Sequence, residues 1–254
     1  MPIDYTHSRN LHTQKGPRTA LPALFGPHMP SSLLDVGCGL GTWLRAAIDM
    51  GITDYQGLDG VPIPGSTLLF PKEHFFCQDL TQAWNLGRKF DVALCLEVAE
   101  HLDEAHAETL VSSLTKHSDK IIFSAACPDQ PGQHHVNCQW PVYWQQLFNR
   151  HGFACSDDVR WLIWTHGDIE PWYRQNIFVA IRDANLAGHE KRIPSVIHPA
   201  MLPMIKSNQK LKEHTFAIEH GRMPVGWYVT TPLQAAVAKL KRKLMYDRVP
   251  ISHQ

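Results

Sequence analysis

The chain has 254 residues, of which 44% are hydrophobic and 19% charged, and its 24 basic side chains equal its 24 acidic ones. That composition suits a folded globular chain and excludes a disordered one. The even charge balance argues against a generic polyanion binder, so nucleic acid is not the expected partner.

Residues 1–30 are polar and contain prolines, and read as an arm or lid outside the core. The opening "MPIDYTHSRNLHTQKGPRT" has no apolar stretch of the secretory kind. From Leu33 strands and helices alternate. "SLLDVG" is a short apolar strand. "TWLRAAIDMG" places Leu44, Ala47 and Ile48 on one helical face and ends at Gly51. "DYQGLDG", "HFFCQDL" and "KFDVALCLEV" are the second, third and fourth strands. "DEAHAETLVSSLTKH" is a helix with acids in its first turn, and "KIIFSAAC" is a fifth strand. A loop over 128–140 leads to a helix that starts at Pro141 and stops at Gly152. "VRWLIW" and "NIFVAIR" read as the last two strands, paired antiparallel.

This order predicts an α/β chain with a doubly wound sheet. Residues 31–182 form its main domain. Residues 183–254 form a helical extension, with candidates in "HPAMLPMIKSNQKLKEH" and "PLQAAVAKLKRKLMYDR". The second carries Leu233, Val237, Leu240 and Leu244 on one face and Lys239, Lys241, Arg242 and Lys243 beside it. Closing an acceptor pocket, forming a homodimer and docking elsewhere all stay open as its role. The six cysteines, Cys38, Cys77, Cys95, Cys127, Cys138 and Cys155, show no C-x-x-C pair and read as reduced thiols of a cytoplasmic chain. No apolar run approaches the length of a transmembrane segment.

In an open α/β sheet, ligands bind beyond the carboxyl ends of the strands. There the chain has Gly37-Cys38-Gly39-Leu40-Gly41. The glycines at 37, 39 and 41 let a ligand touch the backbone. Their G-x-G-x-G spacing differs from the G-x-G-x-x-G of dinucleotide folds. Asp35, just before the loop, suits an ammonium group. Asp59, ending the second strand before Gly60, suits a ribose with two free hydroxyls. Asp79 is placed to accept from an adenine amino group, with Leu80 beside it. An adenosine carrying a cationic amino acid fits these positions, which points to S-adenosylmethionine.

Residues 32–182 resemble the class I S-adenosylmethionine-dependent methyltransferases. "LLDVGCGLG" is similar to the first motif of that family, "GLDG" to its ribose-binding acid, "FFCQDL" to its adenine motif and "FDVALCLEVAEHL" to its fourth-strand motif. The resemblance implies a Rossmann-like seven-stranded sheet, mostly parallel with a reversed last strand. It implies a cofactor site built from Asp35, Gly37, Cys38, Gly39, Gly41, Asp59, Gly60, Asp79, Leu80 and Glu97.

The acceptor must be oriented and must lose a proton. His135, with His134 as the alternative, is the candidate base, since imidazole titrates near neutral pH. "GQHHVNCQWPVYW" is similar to a loop of bacterial methyltransferases linked to sugars and polysaccharides, in which an acid often stands where this chain has Cys138. Asn137, Gln139 and Trp140 on that loop, with Trp172 and Tyr173 in "EPWYRQN", are candidates for holding a sugar-like acceptor. Glu97, Glu100 and His101, spaced i, i+3 and i+4, could join His135 around a divalent ion, and similar clusters bind Mg²⁺ in some RNA 2′-O- and quinone O-methyltransferases. A helix-capping role for the Glu-His pair is the metal-free alternative.

The reading is an O-methyltransferase that acts on a hydroxyl of a small molecule, with a sugar or glycan foremost. An RNA 2′-hydroxyl or a quinone-like phenol is the same-fold alternative. An NAD-dependent oxidoreductase and a non-catalytic cofactor-binding scaffold are the alternatives of other classes.

Overall fold

The structure, a computed structural model, describes residues 5–7, 13–228, 230–232, 234 and 239. It divides into two units, Met1–Ile205 and Lys206–Gln254.

The first unit is built on seven strands: β1 (Ser32–Val36), β2 (Asp54–Asp59), β3 (Phe75–Cys77), β4 (Val92–Leu96), β5 (Lys120–Ser124), β6 (Phe153–Ser156) and β7 (Phe178–Arg182). Their order across the sheet is β3-β2-β1-β4-β5-β7-β6. β1 pairs in parallel with both β2 and β4, in the registers Leu33↔Tyr55 and Leu33↔Val92. Every residue of β1 and β4 is buried, as expected of central parallel strands covered on both faces. β7 runs against β5 and β6, so the reversed strand is the last in sequence, as the family resemblance implies.

The chain moves outward from β1 to β3 and then returns to β4 on the other side of β1. The crevice between the ends of β1 and β4 is therefore the topological switch point, where α/β sheets bind ligands. The site stands there.

Among the described residues six α-helices cover this sheet: α1 (Lys15–Phe25), α2 (Thr42–Asp49), α3 (Ala107–His117), α4 (Pro141–Arg150), α5 (Asp158–Ile163) and α6 (Pro171–Asn176). One apolar cluster gathers Leu110, Leu114, Trp144 and Phe148 with Phe123 and Phe178. The other gathers Leu21, Leu24, Leu44, Leu94 and Ile122.

Three expectations change. Residues 15–25 are not an arm: Ala20, Leu21, Leu24 and Phe25 are buried, a helical stripe that docks α1 against α2. "VRWLIW" is not a strand but lies mostly in α5. There Arg160 and Ile163 are buried while Trp161 and Leu162 are exposed, an i, i+3 pattern. The strand is the preceding "FACS", whose Ser156 Oγ accepts from the Asp158 N–H at 3.1 Å and so opens the helix. "EPWYRQN" is not a turn. Its proline starts α6, where the missing N–H costs nothing.

α7 (Leu202–Glu219) runs from the end of the first unit into the second, matching the first helical candidate of the extension. Within the second unit the Tyr228 hydroxyl lies 3.3 Å from the Ile218 carbonyl, to which it donates. The stripe with Leu233, Val237, Leu240 and Leu244 and the cations Lys241, Arg242 and Lys243 lies outside the described residues. Among the described residues no helix is long and apolar enough to cross a membrane.

Candidate active site

Two cavities open at the switch point. The larger, about 740 Å³, is lined by Asp59, Gly60, Asp79 and Leu80 among others. The smaller, about 240 Å³, is lined by Asp35, Cys38, Gly39, Trp43, Glu100 and His135 among others. Gly37, Glu97, His101, Tyr5 and His7 face both, and so stand where the cavities meet.

The glycine loop owes its shape to left-handed backbone. Gly37, Gly39 and Gly41 have φ of 75°, 52° and 86°, which residues with a Cβ avoid. A Cβ on Gly37 would also strike Val98 Cγ2 at 2.2 Å. Gly41 lines neither cavity; its N–H closes the turn on the Cys38 carbonyl at 2.9 Å and it caps α2.

Asp59 is 5% exposed. Its Oδ2 accepts from the Gly39 N–H at 2.8 Å and its Oδ1 from the Val61 N–H at 2.9 Å. The carboxylate thus ties the β2 turn to the glycine loop. Asp35 is 3% exposed, and its Oδ2 has no hydrogen-bond partner. Burial, reinforced by Asp59, pushes its pKa up to about 8. The same burial pushes the Cys38 thiol well above its ordinary value. Asp79 is exposed and accepts from the Thr81 N–H and hydroxyl, which hold it below the usual carboxylate range.

Glu97 takes a left-handed φ of 56° just after β4, a conformation costing a residue with a Cβ about 1–2 kcal/mol. Its N–H donates to Ser124 O at 3.0 Å. Its carboxylate is held by two amides: Gln130 donates to Oε2 at 2.7 Å and Asn176 to Oε1 at 3.1 Å. Asn176 also donates to Gln130 Oε1 at 2.9 Å, closing a ring of three. Burial raises the Glu97 pKa, while the amides pull it back. Glu100 is fully buried, with its carboxyl against that of Glu97 and near the Ala126 backbone. Burial and the neighbouring Glu97 push it well above the carboxylate range.

The two adjacent histidines part company. His134, with a left-handed φ of 49°, faces the larger cavity. His135 faces the smaller. His135 Nδ1 lies 3.1 Å from Gln130 O and 3.7 Å from Cys138 Sγ. The carbonyl can only accept, so Nδ1 carries the proton and Nε2 the lone pair. Burial lowers the pKa of His135. His101, edge-on to His135 with centroids 5.0 Å apart, is lowered to about 4 by burial and by that neighbour. Both rings are therefore neutral at pH 7.

Glu100, His101 and His135 each offer a ligand atom, all within 4.8 Å of one another. Glu97 does not join them. Its oxygens face Gln130 and Asn176, because 97 and 100 sit on an irregular turn and not on one helical face.

Of the acceptor candidates, Trp172 and Tyr173 line the smaller cavity, and the Tyr173 ring meets Trp43 edge-on at 5.1 Å. Asn137, Gln139 and Trp140 line neither cavity. Asn137 and Gln139 donate backbone N–H groups to Glu100 O and Ala126 O, and Trp140 packs against the cluster of Cys127, Met201 and Ile205. They brace the loop. Sequence reasoning missed Trp43, Gln130 and Asn176. Only Trp43, two residues past the glycine loop, carried a signal. It also missed Tyr5 and His7, hidden in a segment taken for an arm.

A family model described as "Methyltransferase domain" matches residues 9–167. Solved structures share parts of the fold. A magnesium protoporphyrin IX methyltransferase from Synechocystis PCC 6803, with bound SAH, is 22% identical over 59% of this chain and 73% of its own (TM-score 0.45). The methyltransferase domain of a bacterial Hen1 is 15% identical over 67% of this chain and 98% of its own (TM-score 0.49). DesVI from Streptomyces venezuelae is 14% identical over 67% and 92% (TM-score 0.49). No curated protein matches the chain. The family match overturns the NAD-dependent oxidoreductase, in keeping with the glycine spacing. The chain belongs to the methyltransferase-domain family and is an S-adenosylmethionine-dependent methyltransferase.

Proposed function

We propose that this enzyme methylates a hydroxyl group of a small molecule, with a sugar or glycan as the acceptor class. The observation that carries the proposal is His135. It is a neutral imidazole fixed by Gln130 O with Nε2 unprotonated, in a cavity walled by Trp43, Trp172 and Tyr173. A neutral histidine takes a proton from a hydroxyl, and flat aromatic faces suit a sugar ring.

The residues fit the cofactor. The unpartnered Asp35 Oδ2 suits an ammonium, Asp59 a ribose, and the rim at Asp79 and Leu80 an adenine. S-adenosylmethionine held there would supply an electrophilic methyl for the acceptor oxygen, with its sulfur as the leaving group. The hydroxyl proton passes to His135 Nε2. The wall of Trp43, Trp172 and Tyr173 orients the acceptor and excludes water.

A second reading rests on the group of Glu100, His101 and His135. A fully buried carboxylate beside two neutral imidazoles is a fitting set of ligands. A divalent ion there would lower the acceptor hydroxyl's pKa. Two nitrogens and one carboxylate suit a transition ion better than Mg²⁺, which favours oxygen ligands.

The test is transfer of a labelled methyl from S-adenosylmethionine to a panel of sugars, phenols, amines and short RNAs. Label on the sugars alone supports the proposal. Label on amines or RNA, with none on sugars, overturns it.

A further inference from the structure

We propose that the segment Tyr5–His7 is a strap that competes with the cofactor's ribose for Asp59, and that Gln133 clasps the strap to the loop carrying His135. The inference rests on the reading of Asp59 given under "Proposed function".

His7 Nε2 stands 3.5 Å from Asp59 Oδ1, and the two side chains are 14% and 8% exposed. The ring lies over the glycine loop, since a Cβ built on Gly39 would come within 3.4 Å of it. Tyr5 continues the strap across the junction of the cavities, edge-on to His101 with centroids 4.8 Å apart. The strap is held reciprocally: the Thr6 N–H donates to Gln133 Oε1 at 3.3 Å, and Gln133 Nε2 donates to Thr6 O at 3.2 Å. Gln133 therefore acts on the strap as a neighbouring strand would, although it belongs to the loop that presents His134 and His135.

Asp59 already accepts from two backbone N–H groups, and His7 covers what remains of it. A ribose that reaches this carboxylate takes the place of the His7 ring. Leaving, His7 pulls on Thr6 and so on the Gln133 clasp. Filling the cofactor site then frees the acceptor loop, and the two half-sites are coupled through three residues. The affinity measured for the cofactor is lowered by the fraction of molecules whose strap is closed.

The test uses the full chain and S-adenosylhomocysteine, titrated calorimetrically into the wild type, His7→Ala, Gln133→Ala and Asp59→Ala, with thermal melts to show that each variant folds. Removing the ring or the clasp is expected to tighten binding roughly threefold to tenfold. Hydrogen exchange at residues 5–7 is expected to speed up when the ligand saturates the wild type. Weaker binding in the two strap variants, or slower exchange, would show a lid that closes on the cofactor and would overturn the competition. Asp59→Ala separates the failures. If it binds as wild type does, the ribose is not at Asp59 and the reading of the site falls. If it loses binding while His7→Ala and Gln133→Ala match wild type, only the strap falls.

Discussion

Gln130 donates its side-chain amide to Glu97 Oε2 at 2.7 Å, while its main-chain carbonyl faces His135 Nδ1 at 3.1 Å. One residue thus holds a buried acid with its side chain and fixes the tautomer of the candidate base with its backbone. Gln130→Ala leaves a buried carboxylate short of a donor, which costs about 1–3 kcal/mol. The urea midpoint is expected to fall accordingly. An unchanged midpoint would show that Asn176 alone satisfies Glu97.

Asp35 carries the clearest pH dependence. Its folded pKa, about 8, lies above the ordinary 3.8. Between those values the folded state holds a proton that the unfolded state has lost, so stability is intact below the lower value and falls as pH rises toward the upper one. Asp35→Asn removes the penalty. The variant is expected to be more stable than wild type by a few kcal/mol at about pH 8 and nearly equal to it at about pH 4. It is also expected to bind S-adenosylmethionine more weakly, because the ammonium loses its acid. Equal stability at both pH values would mean that water reaches Asp35.

Gly132 lies against the candidate base. A Cβ there would come within 1.9 Å of His135 Nε2. Gly132→Ala is expected to turn the ring away and lower kcat by about a hundredfold, the usual loss for a catalytic group misplaced by an ångström. Affinity for S-adenosylhomocysteine is expected to stay within about threefold, the change too small to mark a lost contact. Unchanged kcat would remove His135 from the chemistry.

Chelation separates the two readings of Glu100, His101 and His135. With His135 as the base, activity survives exhaustive treatment with a chelator. Activity that is lost and then restored by Mn²⁺ or Zn²⁺, but not by Mg²⁺, would establish the metal reading with the transition ion that two imidazoles favour.

The sheet was legible because its central strands are apolar runs ended by glycine or acid, and helices of clear 3.6-residue period join them. The rim of the larger cavity, with Asp59, Gly60, Asp79 and Leu80, was legible because its residues follow strand ends. The errors came from short elements. α5 is only six residues long, and its aromatic residue imitates a strand, while α1 hides an apolar stripe among prolines and polar residues. The Glu97–Glu100–His101 spacing suggested one helical face, but the backbone reverses at Glu97 and sends its carboxylate elsewhere. No local pattern foretells that Gln130 meets Asn176, or that His7 meets Asp59, because those pairs meet only after the sheet has formed.

The most direct test of the central claim is the kind of bond made. Wild type and His135→Gln would be given S-adenosylmethionine with a carbon-13 methyl and a pool of sugars, and the product methyl read by NMR. The expected product is a methyl carbon bonded to oxygen, formed at least about a hundredfold more slowly by the variant, as follows from losing a general base. A methyl bonded to nitrogen or carbon, or a variant as fast as wild type, would contradict it.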